Sequence, residues 1–146
     1  MFGNVLRGGH LADALTNKGY NVKKTDIIQR RDDIEVLDFL TCNEKAHNMD
    51  ILTNPPFKYA ELFVRKALSL IDDGYNVYMF LKLTFLEGIS RKKLFEEFPP
   101  RIVYVFSKRI GTATNGDFST CKSPVQAYAW FVWEKGFCGD SKLDWL

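Results

Sequence analysis

Hydrophobic positions along the chain alternate between short runs of strand length and longer stretches with helical spacing. The clearest helical stretch covers 59–71, where one apolar stripe is formed by Leu62, Phe63, Ala67, Leu70 and Ile71. An almost wholly apolar run follows at 75–81 and predicts a strand that is buried on both faces. Alternating helices and strands predict an α/β fold built on a mostly parallel sheet with helices on both faces.

Shorter elements complete this pattern. A helix over 11–15 is predicted to stop at Gly19, and another over 90–97 has Ser90 as its predicted N-cap. Further strands are predicted at 21–25, 35–37, 50–53, 102–106 and 126–133, with 141–146 as a tail. We expect the last two strands to be antiparallel, because a long connection without a helix joins them.

Length and composition indicate one ordinary globular domain spanning 1–146. The chain is 46% hydrophobic and 26% charged, and its formal net charge is +2. This near-neutral charge neither demands nor excludes a nucleic-acid partner. No apolar run reaches the roughly 20 residues of a membrane span, and the start lacks the hydrophobic core of a signal peptide. We therefore expect no membrane association and a cytoplasmic protein.

The cysteines give no sign of a metal site or a disulfide framework. Cys42, Cys121 and Cys138 are odd in number and widely spaced, and no Cys-x-x-Cys occurs. The two histidines do not complete a metal-binding spacing with them. The sequence thus predicts reduced thiols and no metal.

The most informative segment is 50–57, which reads Asp-Ile-Leu-Thr-Asn-Pro-Pro-Phe. A short strand there must stop at Asn54, because Pro55 and Pro56 block both a ladder and a helix. Asn54 is then held at the carboxyl end of a strand, where ligands bind in open α/β sheets. Its carbonyl and that of Pro55 can accept the two hydrogens of a planar amino group, and Phe57 can stack on the substrate. The alternative is a proline-stiffened turn with Phe57 simply buried.

The tetrad Asn54-Pro55-Pro56-Phe57 resembles the catalytic motif of S-adenosylmethionine-dependent amino-methyltransferases, in particular the N6-adenine DNA methyltransferase-like proteins of bacteria and their prophages. The resemblance extends from Gly8 to the Trp133 region. It implies a class I methyltransferase (Rossmann-like) fold, S-adenosyl-L-methionine as cofactor, these four residues as the catalytic group, and DNA as substrate. RNA and protein glutamine are alternative substrates, because their methyltransferases use similar tetrads. A non-catalytic remnant is a further alternative.

The same resemblance implies a set of cofactor-binding residues at the ends of three elements. They are Gly8, Gly9, His10, Asp26, Asp38 and Phe39. The glycine pair precedes the first helix and would carry the methionine end of the cofactor. Asp26 would hold the ribose, while Asp38 and Phe39 would contact the adenine. The alternatives are a plain turn for the glycines, a solvated turn for Asp26 and core packing for Phe39.

The start of the chain departs from the family pattern. The usual first strand ends in an acidic residue before a glycine-rich turn, but Gly3 and Arg7 stand at the positions of the acid and the first glycine. We therefore expect a chain truncated at its start, with a first strand that is short or missing and an impaired cofactor site. An open central position in the sheet would invite exchange of N-terminal segments and a homodimer.

Three further groups are candidates for contacts with substrate. Lys58, directly after the tetrad, can reach a phosphate, or can simply be exposed at the start of the helix. Lys82 ends the 75–81 strand and can border the cleft, or can be an ordinary surface lysine. The polar loop over 107–117 has cations and glycines suited to a nucleic-acid backbone, or is a solvated loop. The aromatic run Tyr128, Trp130, Phe131 and Trp133 is predicted to divide between two buried faces and to serve core packing.

Overall fold

The computed structural model describes residues 2–4, 10–29, 31–108 and 126–146, and it has the predicted α/β architecture. In these ranges the helices are α1 (His10–Asn17), α2 (Ala60–Leu70) and α3 (Ile89–Glu97). The strands are β1 (Phe2–Asn4), β2 (Lys23–Asp26), β3 (Glu35–Val36), β4 (Ile51–Thr53), β5 (Asn76–Lys82), β6 (Ile102–Val105), β7 (Tyr128–Glu134) and β8 (Lys142–Trp145). Short 3-10 turns cover Phe57–Tyr59 and Leu83–Leu86.

All eight strands form one sheet in the order β3-β2-β1-β4-β5-β7-β6-β8. The pairs are parallel except those made by β7, which runs antiparallel to both β5 and β6. The expected antiparallel arrangement of the last two predicted strands is thereby confirmed. The expectation of an open central position is wrong, because β1 pairs with β2 on one side and with β4 on the other.

Two local predictions also need correction. The segment predicted to be a tail contains β8, which pairs in parallel with β6 and takes its extended form from that ladder. Ser90 is not the N-cap of α3, because Gly88 takes that position with φ of 107°, a backbone conformation that glycine adopts far more readily than other residues. Gly19, with φ of 87°, does lie just after the end of α1 as predicted.

The core lies between the sheet and α2. The buried face of α2 consists of Ala60, Phe63, Val64, Ala67, Leu68 and Leu70. Leu62, which was expected on this stripe, is 53% exposed because it lies about 100° around the helix from Phe63. Phe131 and Trp133 of β7 complete the core, and the indole of Trp133 donates a hydrogen bond to the carbonyl of Phe98. In the described part of the chain, no helix is both long and apolar enough to cross a bilayer.

A four-residue ionic network fastens α1 to the sheet. Asp13 of α1 accepts hydrogen bonds from Arg31 at 2.6 Å and from Lys24 of β2 at 2.9 Å. Asp33 accepts from the same two cations. The hydrogen bonds from Arg31 and then Lys24 lower the pKa of Asp13 from 3.8 to about 2. The network therefore holds α1 against β2 and the turn that follows it.

Removing this network gives the first testable prediction. A carboxyl group whose pKa is lowered by folding stabilises the folded state above its unfolded pKa, and the contribution is lost as pH falls through the folded pKa. We expect the stability difference between the unchanged protein and Asp13→Asn to be full at pH about 5 and to shrink between pH about 4 and about 2. Urea unfolding at each pH measures it. The control is Asp140→Asn, because Asp140 is an exposed aspartate that lies outside the network.

Candidate active site

The carboxyl ends of β1, β2, β4 and β5 meet at one edge of the sheet, where the order of strands reverses between β1 and β4. Asn4 of β1 pairs with both Thr25 and Thr53, so the next residues, Asp26 and Asn54, lie at the same level of the edge. They are two strand spacings apart, or about 10 Å. The edge between them is wide enough for an extended ligand with the dimensions of a nucleoside.

Asn54 follows β4 directly and carries the most unusual polar atom of the site. Its side-chain oxygen, Oδ1, is buried and has no hydrogen-bond partner in the described part of the chain. Pro55 is also buried, and the carbonyl of Pro56 accepts a hydrogen bond from the amide of Tyr59 at 2.8 Å. The prolines end the strand as predicted. They leave Asn54 on a backbone that is stiff on its C-terminal side, and no donor from the described residues reaches its side-chain oxygen.

Phe57 begins the turn after the prolines, and its side chain is not part of the core. The residue is 38% exposed. One side of its ring is approached by Lys82, whose Nζ lies 4.7 Å from the ring centroid. Tyr128 contacts the ring as well, with centroids 6.0 Å apart and a tilt of 37°. The side chain is therefore partly accessible at the ends of the strands, next to a cation and a second aromatic ring.

Tyr128 is a site residue that the sequence analysis missed. Its ring stacks on Phe80 of β5 with centroids 4.9 Å apart, and Trp130 packs against Phe80 in turn at 5.4 Å. Phe131 and Trp133 point to the opposite face and are core residues as predicted. The register of the sheet could have identified Tyr128. An antiparallel strand beside β5 must begin where β5 ends, and Tyr128 pairs with Lys82 at that end.

Asp26 ends β2 and is buried, with 7% of its surface exposed. Its Oδ1 accepts a hydrogen bond from the amide of Ile28 at 3.1 Å, and its carbonyl accepts one from Leu37 at 2.8 Å. These bonds shape the turn after β2 and attach the segment that follows β3. The alternative of a solvated turn aspartate does not fit this burial. A ribose-binding role for Asp26 stays a prediction.

Asp38 and Phe39 lie just beyond β3 and have different environments. Asp38 is exposed and closes a turn by accepting a hydrogen bond from the amide of Leu40 at 3.0 Å. Phe39 is only 3% exposed and stacks on Phe63 of α2 with ring centroids 5.1 Å apart. This contact favours the core-packing interpretation of Phe39. Asp38 is free of such a constraint and stays a candidate for contact with a cofactor.

For the other candidate residues, the described contacts do not define a role in the site. Gly8 and Gly9 lie outside the described residues, as does the part of the polar loop over 109–117, and His10 is the first residue of α1. Lys58 is exposed, with its Nζ 5.4 Å from the centroid of the Tyr59 ring. In the ranges that the structure covers, no cluster of three or more histidine, cysteine or acidic side chains is arranged to hold a metal.

No family model matches the sequence, and no curated protein matches it at a significant level. Solved structures do resemble it. A protein from Agrobacterium tumefaciens described as a predicted O-methyltransferase superposes with a TM-score of 0.61 and 12% identity, covering 99% of this chain and 76% of its own. An S-adenosylmethionine-dependent O-methyltransferase from Thermotoga maritima gives 0.60 and 12%, covering 95% of this chain and 60% of its own.

The fold is that of a class I methyltransferase. The type IIG restriction endonuclease BpuSI also superposes on this chain, with a TM-score of 0.61 and 14% identity over 93% of it. The present chain spans only 22% of that enzyme's length and 60% of the Thermotoga protein's. Identities this low establish the fold alone. The methyltransferase fold therefore frames the site, while the activity must be argued from the residues at the edge of its sheet.

The unpartnered oxygen of Asn54 leads to a prediction about stability. Replacing Asn54 by leucine, which has the same branched arrangement of side-chain heavy atoms, removes a buried acceptor to which no described residue donates. We expect Asn54→Leu to raise the free energy of unfolding by about 1 kcal/mol, since such a group costs about 1–3 kcal/mol. Denaturant unfolding measures the change. The control is Asn43→Leu, because that side chain is exposed and already accepts a hydrogen bond from Lys66. A less stable Asn54→Leu protein would contradict the prediction.

Proposed function

We propose that this chain is an S-adenosylmethionine-dependent methyltransferase that acts on an exocyclic amino group, with adenine N6 in DNA as the leading substrate. One observation carries the proposal: Asn54 Oδ1 is a buried acceptor to which no described residue donates, at the carboxyl end of β4 in a class I methyltransferase fold. A buried polar atom is normally paired, and an exception at a ligand-binding edge indicates that a ligand supplies the donor.

The residues present suit S-adenosylmethionine. When bound, this cofactor supplies an electrophilic methyl group. Asp26 would hold the ribose from the end of β2, since a buried carboxylate at this position accepts hydroxyl hydrogens well. Asp38 would reach the adenine amino group from the rim beyond β3, with Phe39 stiffening the wall behind it. Gly8, Gly9 and His10 are proposed for the methionine end on the resemblance alone.

Asn54 and its neighbours would make the substrate nitrogen reactive. The lone pair of an aromatic amine or amide is delocalised, so the nitrogen is a poor nucleophile. Asn54 Oδ1 and the carbonyl of Pro55 would accept its two hydrogens and draw it towards tetrahedral geometry, which frees the lone pair for in-line attack. Fixed acceptors of this kind need no reorganisation during the reaction. No strong base is needed, because the nitrogen loses a proton readily once it is alkylated.

Phe57 and Lys82 support a nucleic acid over a glutamine side chain. A flipped nucleotide has both a flat base and a negative phosphate, whereas glutamine has only a small amide plane. Phe57 offers a partly exposed ring for stacking, and Lys82 places an ammonium group beside that ring. Lys82 makes no ion pair with a carboxylate among the described residues, so its charge is available to a phosphate. DNA is preferred to RNA only on the family resemblance of Phe57.

The cofactor site can be tested by calorimetric titration with S-adenosylmethionine and S-adenosylhomocysteine. We expect binding, and we expect Asp26→Ala to weaken it at least about tenfold, because hydrogen bonds to a charged group contribute about 1.5–3 kcal/mol. Asp26→Asn keeps the shape of the side chain, so it provides the same test if the alanine variant does not fold. Asp32→Ala is the matched control, since Asp32 is an exposed aspartate of the same loop.

Two results would contradict this part of the proposal. Unchanged affinity in both Asp26 variants would show that Asp26 does not hold the ribose. Absence of binding by the unchanged protein, shown by circular dichroism to be folded, would favour the non-catalytic remnant over the enzyme.

The chemistry can be tested by methyl transfer to DNA duplexes, single-stranded DNA, RNA and glutamine-containing peptides, with mass spectrometry of the products. We expect N6-methyladenine in DNA. Asn54→Ala should lower kcat by about 10²–10³ because it removes a preorganised acceptor, and it should leave cofactor affinity unchanged. Asn43→Ala, an exposed asparagine, should retain full activity. Product in RNA or peptide alone would replace DNA by that substrate, and an active Asn54→Ala protein would reject the proposed role of Asn54.

A further inference from the structure

The outer strand β8 ends the sheet, and no other described strand pairs with its outer edge. All four of its residues are exposed, and Leu143 and Trp145 are 52% and 61% exposed. Natural edge strands are usually protected by shortness, charged side chains, proline, bulges or a covering loop, and β8 has only the charges of Lys142 and Asp144. The opposite edge strand, β3, is only two residues long. By contrast, 141–146 contains neither proline nor glycine and lies straight along β6.

Hydrogen bonds to β6 show which backbone groups of this edge face outward. The amides of Lys142 and Leu146 donate to the carbonyls of Arg101 and Val105, and the carbonyl of Leu146 accepts from Ser107. Successive residues of a strand in a parallel pair alternate between the two sides, so the backbone groups of Leu143 and Trp145 face away from β6. The outward amide of Trp145 is bonded instead to the carboxylate of its own neighbour, Asp144, at 2.8 Å.

The side chains of this edge are complementary to themselves. Two copies of β8 can pair in antiparallel fashion about a two-fold axis that passes through Leu143. This pairing places Lys142 opposite Asp144 of the second copy, and Asp144 opposite the second copy's Lys142. A two-fold axis through Lys142 or through Asp144 would instead place residues of the same charge opposite each other, which destabilises a cross-strand pair. The Leu143 register also brings the outward amides and carbonyls of the two Leu143 residues together as a hydrogen-bonded pair.

We propose that β8 is a self-pairing edge through which two copies of this chain join into one continuous sheet, in the register centred on Leu143. On one face of the joined sheet lie two Lys142–Asp144 ion pairs. On the other face the two Leu143 side chains meet, with each Trp145 diagonal to them and within reach. On pairing, the amide of Trp145 exchanges the Asp144 carboxylate for the carbonyl of the partner's Ser141, and Asp144 is released to the partner's Lys142.

Charge reversal tests this register directly. Sedimentation equilibrium from about 1 µM to about 1 mM covers the range of weak to moderate association constants. We expect a reversible dimer, and we expect Lys142→Glu or Asp144→Lys alone to raise its dissociation constant on the order of tenfold, as two attractions become repulsions. The double variant Lys142→Glu with Asp144→Lys restores opposite charges across the pair. It should return the dissociation constant to near the original value.

Amide hydrogen exchange adds a readout that locates the contact. The Leu143 amide should exchange fast at low concentration and become protected at high concentration, while the Leu146 amide, already bonded to β6, should be protected in both. Thermal unfolding of each variant checks that the monomer is intact. A monomer throughout the range, a dimer insensitive to the single reversals, or a double variant as weak as the single ones would each overturn the proposal.

Discussion

The backbone pairing of one short strand, β1, joins the two halves of this sheet. β1 (Phe2–Asn4) pairs with β2 on one side and with β4 on the other, and the described strands offer no second connection between these halves. The β2–β3 half carries Asp26 and Asp38, whereas the half beyond β4 carries Asn54 and Phe57. The distance and level between the two groups are set by the register of β1. A shift of one residue in either pairing would move a whole half of the site relative to the other.

The family-like tetrad and the alternation of elements were enough to predict the fold, because both are local signals with a direct physical cause. The prolines after Asn54 end a strand whatever surrounds them, and the helical stripe of α2 must be buried against something. The antiparallel β7 followed from a connection without a crossover helix. What these signals have in common is that each constrains the backbone before any tertiary contact forms.

The sequence-based predictions were wrong where tertiary contacts determine the secondary structure or the role of a residue. β8 has no strong strand pattern of its own and is extended because β6 offers it a ladder. The filled central position was missed for the same reason, since a three-residue strand is stable only between two partners. At the site, Tyr128 was assigned to core packing because spacing along one strand does not show which neighbouring strand end it meets. Phe39 illustrates the reverse case, where a predicted ligand contact has an evident packing partner in Phe63.

The position of Lys82 over Phe57 has a consequence for selectivity. The resting protein keeps its one partly exposed ring of the tetrad beneath its own ammonium group, at 4.7 Å, so the ring is not an open hydrophobic surface. A flat molecule that arrives there must first displace a cation from the π-face. A neutral aromatic compound offers the displaced charge nothing in return, whereas a ligand with an anionic group beside its ring gives the ammonium a new partner. Under the proposed function, the pair would act as a filter that admits charged planar ligands and disfavours uncharged ones.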